Sequence, residues 1–373
     1  MALNTVSSDR LSTNVKNTNF TAAEKQDLTD DILPLAGQIG GRNLLINGDM
    51  LISQRFGSTS KALANSKYSL DRWQVVNDAG SSKFTTQQVD DAPVGLKKSL
   101  KMTSSSAYSV PATEVFGVGQ KIEGLNTNQL MFGSSDAKSI TISFFVKSSL
   151  TGTFNGSVLN QDMTRGYPWT YTISAANTWE YKTVTVAGST DGTWLHDHRE
   201  GMRIFWNMGS GTSRSGTAGQ WSTTQYTFGA TGATSVVGTN AATLQITGCQ
   251  VEEGSLATSF EHLSTATQLL RCQRYFLQDF ASSIGTMYEA WSAPNGKFAT
   301  FNFPVTMRVA ATVNTTNGTD GVVNSQFDNG SGGAVTVAKH GSKTGVYFYN
   351  AGTQFQLTGL TNGSPGASFS AEL

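Results

Sequence analysis

The chain has 373 residues, 26 basic and 26 acidic side chains and no formal net charge. Charged residues make up 14% of it, and there is no basic excess or stripe, which excludes the electrostatic footprint of a nucleic-acid binder. No apolar run approaches the roughly 20 residues of a membrane-spanning helix, and no basic segment with an apolar core opens the chain, so neither membrane insertion nor a secretory leader is expected.

The length suits two or three domains. Polarity comes from Ser, Thr, Asn, Gln and Gly, with 39 Gly against 7 Pro. Short hydroxyl and amide side chains compete for the backbone inside helices and suit strands and turns. Cys249 and Cys272 lie beside apolar residues and are expected as buried reduced thiols, in keeping with assembly in a reducing cytoplasm.

Residues 1–42 read as a helical arm. Thr21-Ala22-Ala23-Glu24 matches a capping box. Leu28 and Ile32 then recur at i and i+4, with Leu35 beyond, while Asp27, Asp30 and Asp31 take the other face. Pro34 ends the helix at or before Leu33. So short an amphipathic helix is marginal alone and needs a partner surface.

After Gly40-Gly41 the pattern turns to short strands between Gly, Asn, Asp and Ser clusters. Asn43 to Asp49 is expected as the first strand of a module that closes at Gln250 to Gly254. Asp71–Val76 and Ser99–Thr103 follow. In Ser139–Lys147, Ile140, Ile142, Phe144 and Val146 share one face, the cleanest period-two signal in the chain. Trp179–Val186 changes alternation near Thr183, which predicts a bulge there. Arg203–Trp206 and Ala242–Val251 complete the set. Many short strands without intervening helices predict an all-β fold, a jelly-roll β-sandwich, over 43–263. The Gly/Ser/Thr-rich stretch from Gly209 to Gly238 is long for a connection and is expected to be a functional loop or a decorated edge hairpin. Residues 264–373 read as a short helix, with Leu269, Cys272 and Phe276 at helical spacing, followed by a smaller C-terminal β-domain.

Several phrases in order carry a resemblance. They are Asn43-Leu44-Leu45-Ile46-Asn47-Gly48-Asp49, Tyr68-Ser69-Leu70-Asp71-Arg72-Trp73, Ile142-Ser143-Phe144-Phe145-Val146-Lys147, Gln250-Val251-Glu252-Glu253-Gly254 and Leu270-Arg271-Cys272-Gln273-Arg274-Tyr275-Phe276. Over roughly 43–280 the chain resembles a module of bacteriophage tail-fibre and other virion proteins, frequent in marine and cyanobacterial phages. The resemblance implies a carbohydrate-binding-module-like jelly roll in a virion tail appendage, commonly a homotrimer, assembled in the host cytoplasm. It casts the arm, through Leu28, Ile32 and Leu35, as the anchor to other tail or capsid proteins.

The candidate chemistry is binding rather than catalysis. Sugars stack on aromatic rings while neighbouring polar groups take their hydroxyls. Trp169 and Tyr171 beside Arg165, Trp194 beside His196, and Trp206 beside Asn207 are the expected contacts with host surface glycan. Trp73 and Trp179 are assigned to the core. His196-Asp197-His198-Arg199-Glu200 has metal-ligand character, but too few histidines exist elsewhere to complete a zinc site. Asp49 and Glu252, at the two ends of the module, could share calcium. No metal and no cofactor is expected. Asp90-Asp91 and Glu252-Glu253 are sequence neighbours that point to opposite faces of a strand, unlike the facing carboxylates of a glycosidase. The expectation is a tail fibre that is not an enzyme. The alternatives are a capsid decoration or tail structural protein without a receptor, and a glycan-degrading enzyme on the same scaffold.

Overall fold

The computed structural model describes residues 41–279, 289–293, 296–314, 325–328, 338–350, 356–359 and 367–373. The arm, with Leu28, Ile32 and Leu35, lies outside them.

Two five-stranded antiparallel sheets form the main body. The first has the order β1-β4-β9-β6-β7, with β1 Gln74–Asn77, β4 Val115–Glu123, β6 Gly152–Leu159, β7 Gly166–Ile173 and β9 Glu200–Ser210. The second has the order β2-β3-β12-β5-β8, with β2 Phe84–Val89, β3 Ser99–Ser104, β5 Ile140–Ser148, β8 Glu180–Val186 and β12 Thr243–Glu253. From β4 onward the chain crosses repeatedly between the sheets, the winding of a jelly roll. The inner faces share one apolar core. Ile140, Ile142, Phe144 and Val146 enter it from one side, and Phe154, Val158, Trp169, Ile204 and Trp206 from the other. Phe144 packs edge-on against Trp206 and Tyr171, at 5.6 and 5.1 Å between ring centroids.

Three departures from the expected elements have local causes. Asn43 to Asp49 is not a strand but a hydrogen-bonded clip. The Asn43 amide donates to the Cys249 carbonyl, and its oxygen accepts from Leu45 and Val251 N–H. Asn47, in the left-handed region at φ 60°, bonds through its side chain to Ile52 O, Asp71 O and Ile52 N–H. A Cβ on Gly48 would run into the Cys249 carbonyl, so side chains and a bare glycine do what a ladder would have done. Second, β8 pairs with β5 without interruption from Ile140↔Val186 to Val146↔Glu180, so there is no bulge at Thr183. The register shift lies instead in β12, between Thr247 and Gln250. Third, β4 and β6 escaped the sequence pattern because Gly117, Gly119 and Gly156 stand where the Phe205 and Trp169 rings need room.

The Gly209–Gly238 stretch is neither a free loop nor an edge hairpin. Its β10 Ser215–Gly216 and β11 Gly229–Ala230 lie side by side in parallel. It covers the outer face of the first sheet, where Phe228 packs on Phe205, Leu159, Val115 and Val76. Ala230 N–H and the Asn207 amide close the seam, on Asn155 and Phe228 O.

Helix α1 spans Thr265–Gln273, capped by Ser264, whose hydroxyl accepts from Thr267 N–H. β13 Phe276–Asp279 follows and pairs with β21 Ala367–Ser370, which also pairs with β16 Thr312–Asn314. A further sheet joins β14 Glu289–Ala293, β15 Gly296–Asn302, β19 Gly345–Asn350 and β18 Ala338–Gly341 in that order, and β17 Ser325–Asp328 pairs with β20 Gln356–Gly359. β15 stops before Phe303-Pro304, since proline has no N–H for a ladder. Both cysteines are free and buried, and burial pushes their thiols well above the ordinary range.

Candidate functional site

Alternation along each strand decides which aromatic side chains meet solvent. On β7 and β9 it turns Trp169, Tyr171 and Trp206 into the core, with 1%, 6% and 0% of their surfaces exposed. They pack on Phe144 and on one another and cannot stack on a sugar. Their polar atoms find no partner, so their contribution is volume. Trp194 is also buried, in an edge-on cluster with Phe132 and Trp221, and its N–H is held by Asp191 O. Of the expected contacts, His196 alone is exposed. The loop around it is held by Arg199, which grips Asp197 at 2.7–3.1 Å and pulls its carboxyl down to about 2. Glu200 pairs with Arg203.

One exposed aromatic side chain, Tyr181, lies on the outer face of the second sheet, with the half-buried Trp179 next to it. Trp179, assigned to the core by sequence, stands just before edge strand β8 and projects outward with Tyr181, Thr183 and Thr185. Tyr181 is 46% exposed. It sits directly opposite Phe145 on β5, with ring centroids 5.0 Å apart. Residues two apart on a strand share a face at roughly 7 Å, so Trp179 and Tyr181 form a short aromatic ridge.

Polar groups frame this ridge. Lys147 Nζ lies 5.1 Å from the centre of the Trp179 ring and pairs with Asp91. Trp179 N–H donates to Asp91 at 3.1 Å. Partial burial pushes the Asp91 carboxyl up, but hydrogen bonds from Lys147 and Trp179 outweigh it, and the group is held below the usual carboxylate range. The β2–β3 loop that carries Asp91 is pinned over β12, by Ser99 Oγ on Asp91 O and by Thr247 Oγ1 on Lys98 O. The result is a small aromatic patch with a paired cation and anion beside it.

Several carboxylates of the described residues are taken up by local partners. Asp91 and Asp90 are each paired with a lysine. Burial pushes the carboxyls of Asp49, Asp71 and Asp78 up, but each has its own partners: Gln268 and Leu51 N–H, Gln54, and Val115 N–H with Asn65. Glu252 is taken up by Thr258 and Gln250, so Asp49 and Glu252 are held by separate partners. Among the described residues no group of three or more metal-ligating side chains comes together.

No protein-family model matches the chain, and no curated protein matches it in sequence. Solved structures with a similar strand arrangement include three of note. The enzymatically active domain of tailspike protein 4 of bacteriophage CBA120 is 12% identical over 57% of this chain, with a TM-score of 0.30. A family 61 carbohydrate-binding module in complex with β-1,4-galactotriose is 9% identical over 57%, at 0.29. A family 11 module from Clostridium thermocellum in complex with a mixed-linked tetrasaccharide is 12% identical over 54%, at 0.26. The match spans 21% of the tailspike domain and nearly all of each module. The fold assignment rests on the strand order, not on these likenesses.

Proposed function

We propose that the protein is a glycan-binding component of a tailed-phage virion, a tail fibre that contacts a host surface sugar through the Trp179–Tyr181 ridge. The observation that carries the binding reading is the exposed Tyr181 ring on an edge strand, with the half-buried Trp179 beside Lys147 and Asp91. Apolar sugar faces stack on such rings, and hydroxyls take the neighbouring donors and acceptors. The virion setting rests on the sequence phrases that resemble tail-fibre modules. In this reading the arm anchors the protein to tail or capsid partners, the fibre is a homotrimer, and adsorption gains strength from several weak sites on one particle. The role is binding, without catalysis.

The decisive experiment is a glycan array and whole-cell binding assay on the full chain, with its mass measured by sedimentation. Competable binding by a trimer, lowered by Trp179→Ala and by Tyr181→Ala, is expected; each stacked ring contributes about 1 kcal/mol, or roughly fivefold. A monomer at micromolar concentration removes the trimer. Binding unchanged in both variants removes the ridge. Absence of any glycan or cell binding leaves the structural virion role instead.

A further inference from the structure

A second feature lies away from the ridge, where the Asn43 clip, the turn after β4 and helix α1 meet. It is a cavity of about 520 Å³, within the range of small-molecule sites. Leu44, Leu125 and Leu263 give it apolar walls, and Asn126, Gln129 and Arg271 stand on it as polar groups. Leu125 is an apolar side chain left 52% exposed.

The charges around the cavity are unequal in their freedom. Arg274 is committed: its fork grips Glu123 at 2.6 and 3.1 Å, and Nη1 donates to Thr306 O. Glu261 is turned to the N–H groups of Gly41 and Asn43. Arg271 makes one hydrogen bond, from Nη2 to Asn43 O at 3.2 Å, and no ion pair among the described residues. The rest of its guanidinium fork is therefore open to a carboxylate, which Arg binds bidentately. Gln129 spends one N–H on Asn126 O, which leaves its carbonyl and the Asn126 amide for hydroxyl groups.

We propose that this cavity binds a carboxylate-bearing sugar of the uronic-acid class. The carboxylate lies in the Arg271 fork, the apolar ring face packs on Leu125 and Leu44, and Asn126 and Gln129 take hydroxyls. The site shares no residue with the Trp179 ridge, so either can stand if the other falls.

The test uses the full chain and titrates D-galacturonate against D-galactose, by saturation-transfer NMR and calorimetry. Galacturonate binds saturably and galactose about tenfold more weakly or not at all, since one charge-assisted fork contributes about that factor. Arg271→Ala abolishes the preference. Arg271→Lys keeps the charge without the fork and retains part of it. Leu125→Glu, a change at an exposed position, sets a carboxylate against the ligand and gives the same loss without disturbing the fold. Trp179→Ala leaves galacturonate binding unchanged. No saturable galacturonate binding up to about 20 mM, equal binding of galactose, or full binding by folded Leu125→Glu would overturn the assignment.

Discussion

At the scale of single residues, the chain settles its most family-like phrases with amides rather than ladders. Asn43 makes three bonds and Asn47 three through their side chains alone. They hold a stretch whose apolar residues had looked like a strand. Tyr275 is the residue with the clearest pH consequence. Burial pushes its phenol up to about 12, Arg72 opposes this, and Glu123, which accepts its O–H at 2.8 Å, adds to it. A phenol raised from its ordinary 10 is neutral in the folded protein. Its stabilisation is whole below pH 10 and is lost as pH climbs from 10 to about 12, up to about 2–3 kcal/mol. Tyr68 and Tyr171, also pushed upward by burial, act in the same sense. Denaturant melts between pH 9 and 11.5 should therefore show stability falling with pH, and Tyr275→Phe should flatten the slope. An equal slope in the variant would mean that Tyr275 titrates normally.

At the scale of elements, period-two alternation is a reliable guide on β5 and no guide on β7. On β5 the apolar members alternate with polar ones, so the inward face is legible from sequence. On β7 every residue from Tyr167 to Tyr171 is aromatic, proline or threonine, and nothing in that run tells which side faces the opposite sheet. Trp169 and Tyr171, expected as surface contacts, are core. Trp179 is the reverse: Tyr181, two residues on, pairs with Phe145, which the inward Phe144 and Val146 turn outward, so the face that Trp179 shares is the outer one. The two classes predict opposite behaviour. Phe144→Ala, deep among Trp169, Tyr171 and Trp206, should cost about 3–5 kcal/mol in thermal or denaturant unfolding. Trp179→Ala should stay within about 1 kcal/mol. Similar losses for both would put Trp179 back into the core.

At the scale of the whole molecule, the last residues return to the jelly roll and close on buried charge. Glu372 lies between Arg55 and Arg72, the latter fully buried over the Tyr275 ring at 3.6 Å. Tyr68 O–H and Lys121 Nζ donate to Leu373 O at 2.8 and 3.0 Å, and Arg308 donates to Glu372 O and Ala371 O. Removing one partner of a buried pair leaves the other uncompensated. Glu372→Ala should therefore cost about 3–5 kcal/mol and speed amide exchange in β21. Unchanged exchange there would show that the contact does not hold the C-terminal residues to the body.

The sequence by itself determined an all-β chain, the cleanest core strand, the free buried thiols and the helix at Thr265–Gln273. Each of these depends on local propensity, spacing or composition, which the chain carries in order. Only the tertiary structure decided which tryptophans are core and which are surface, that the Gly209–Gly238 stretch is a cover for a sheet, and that Arg271 stands on a cavity with no ion-pair partner among the described residues. Those facts depend on strand position within a sheet, on what lies across from it and on partners up to 228 residues away. Periodicity along one strand holds no record of any of them.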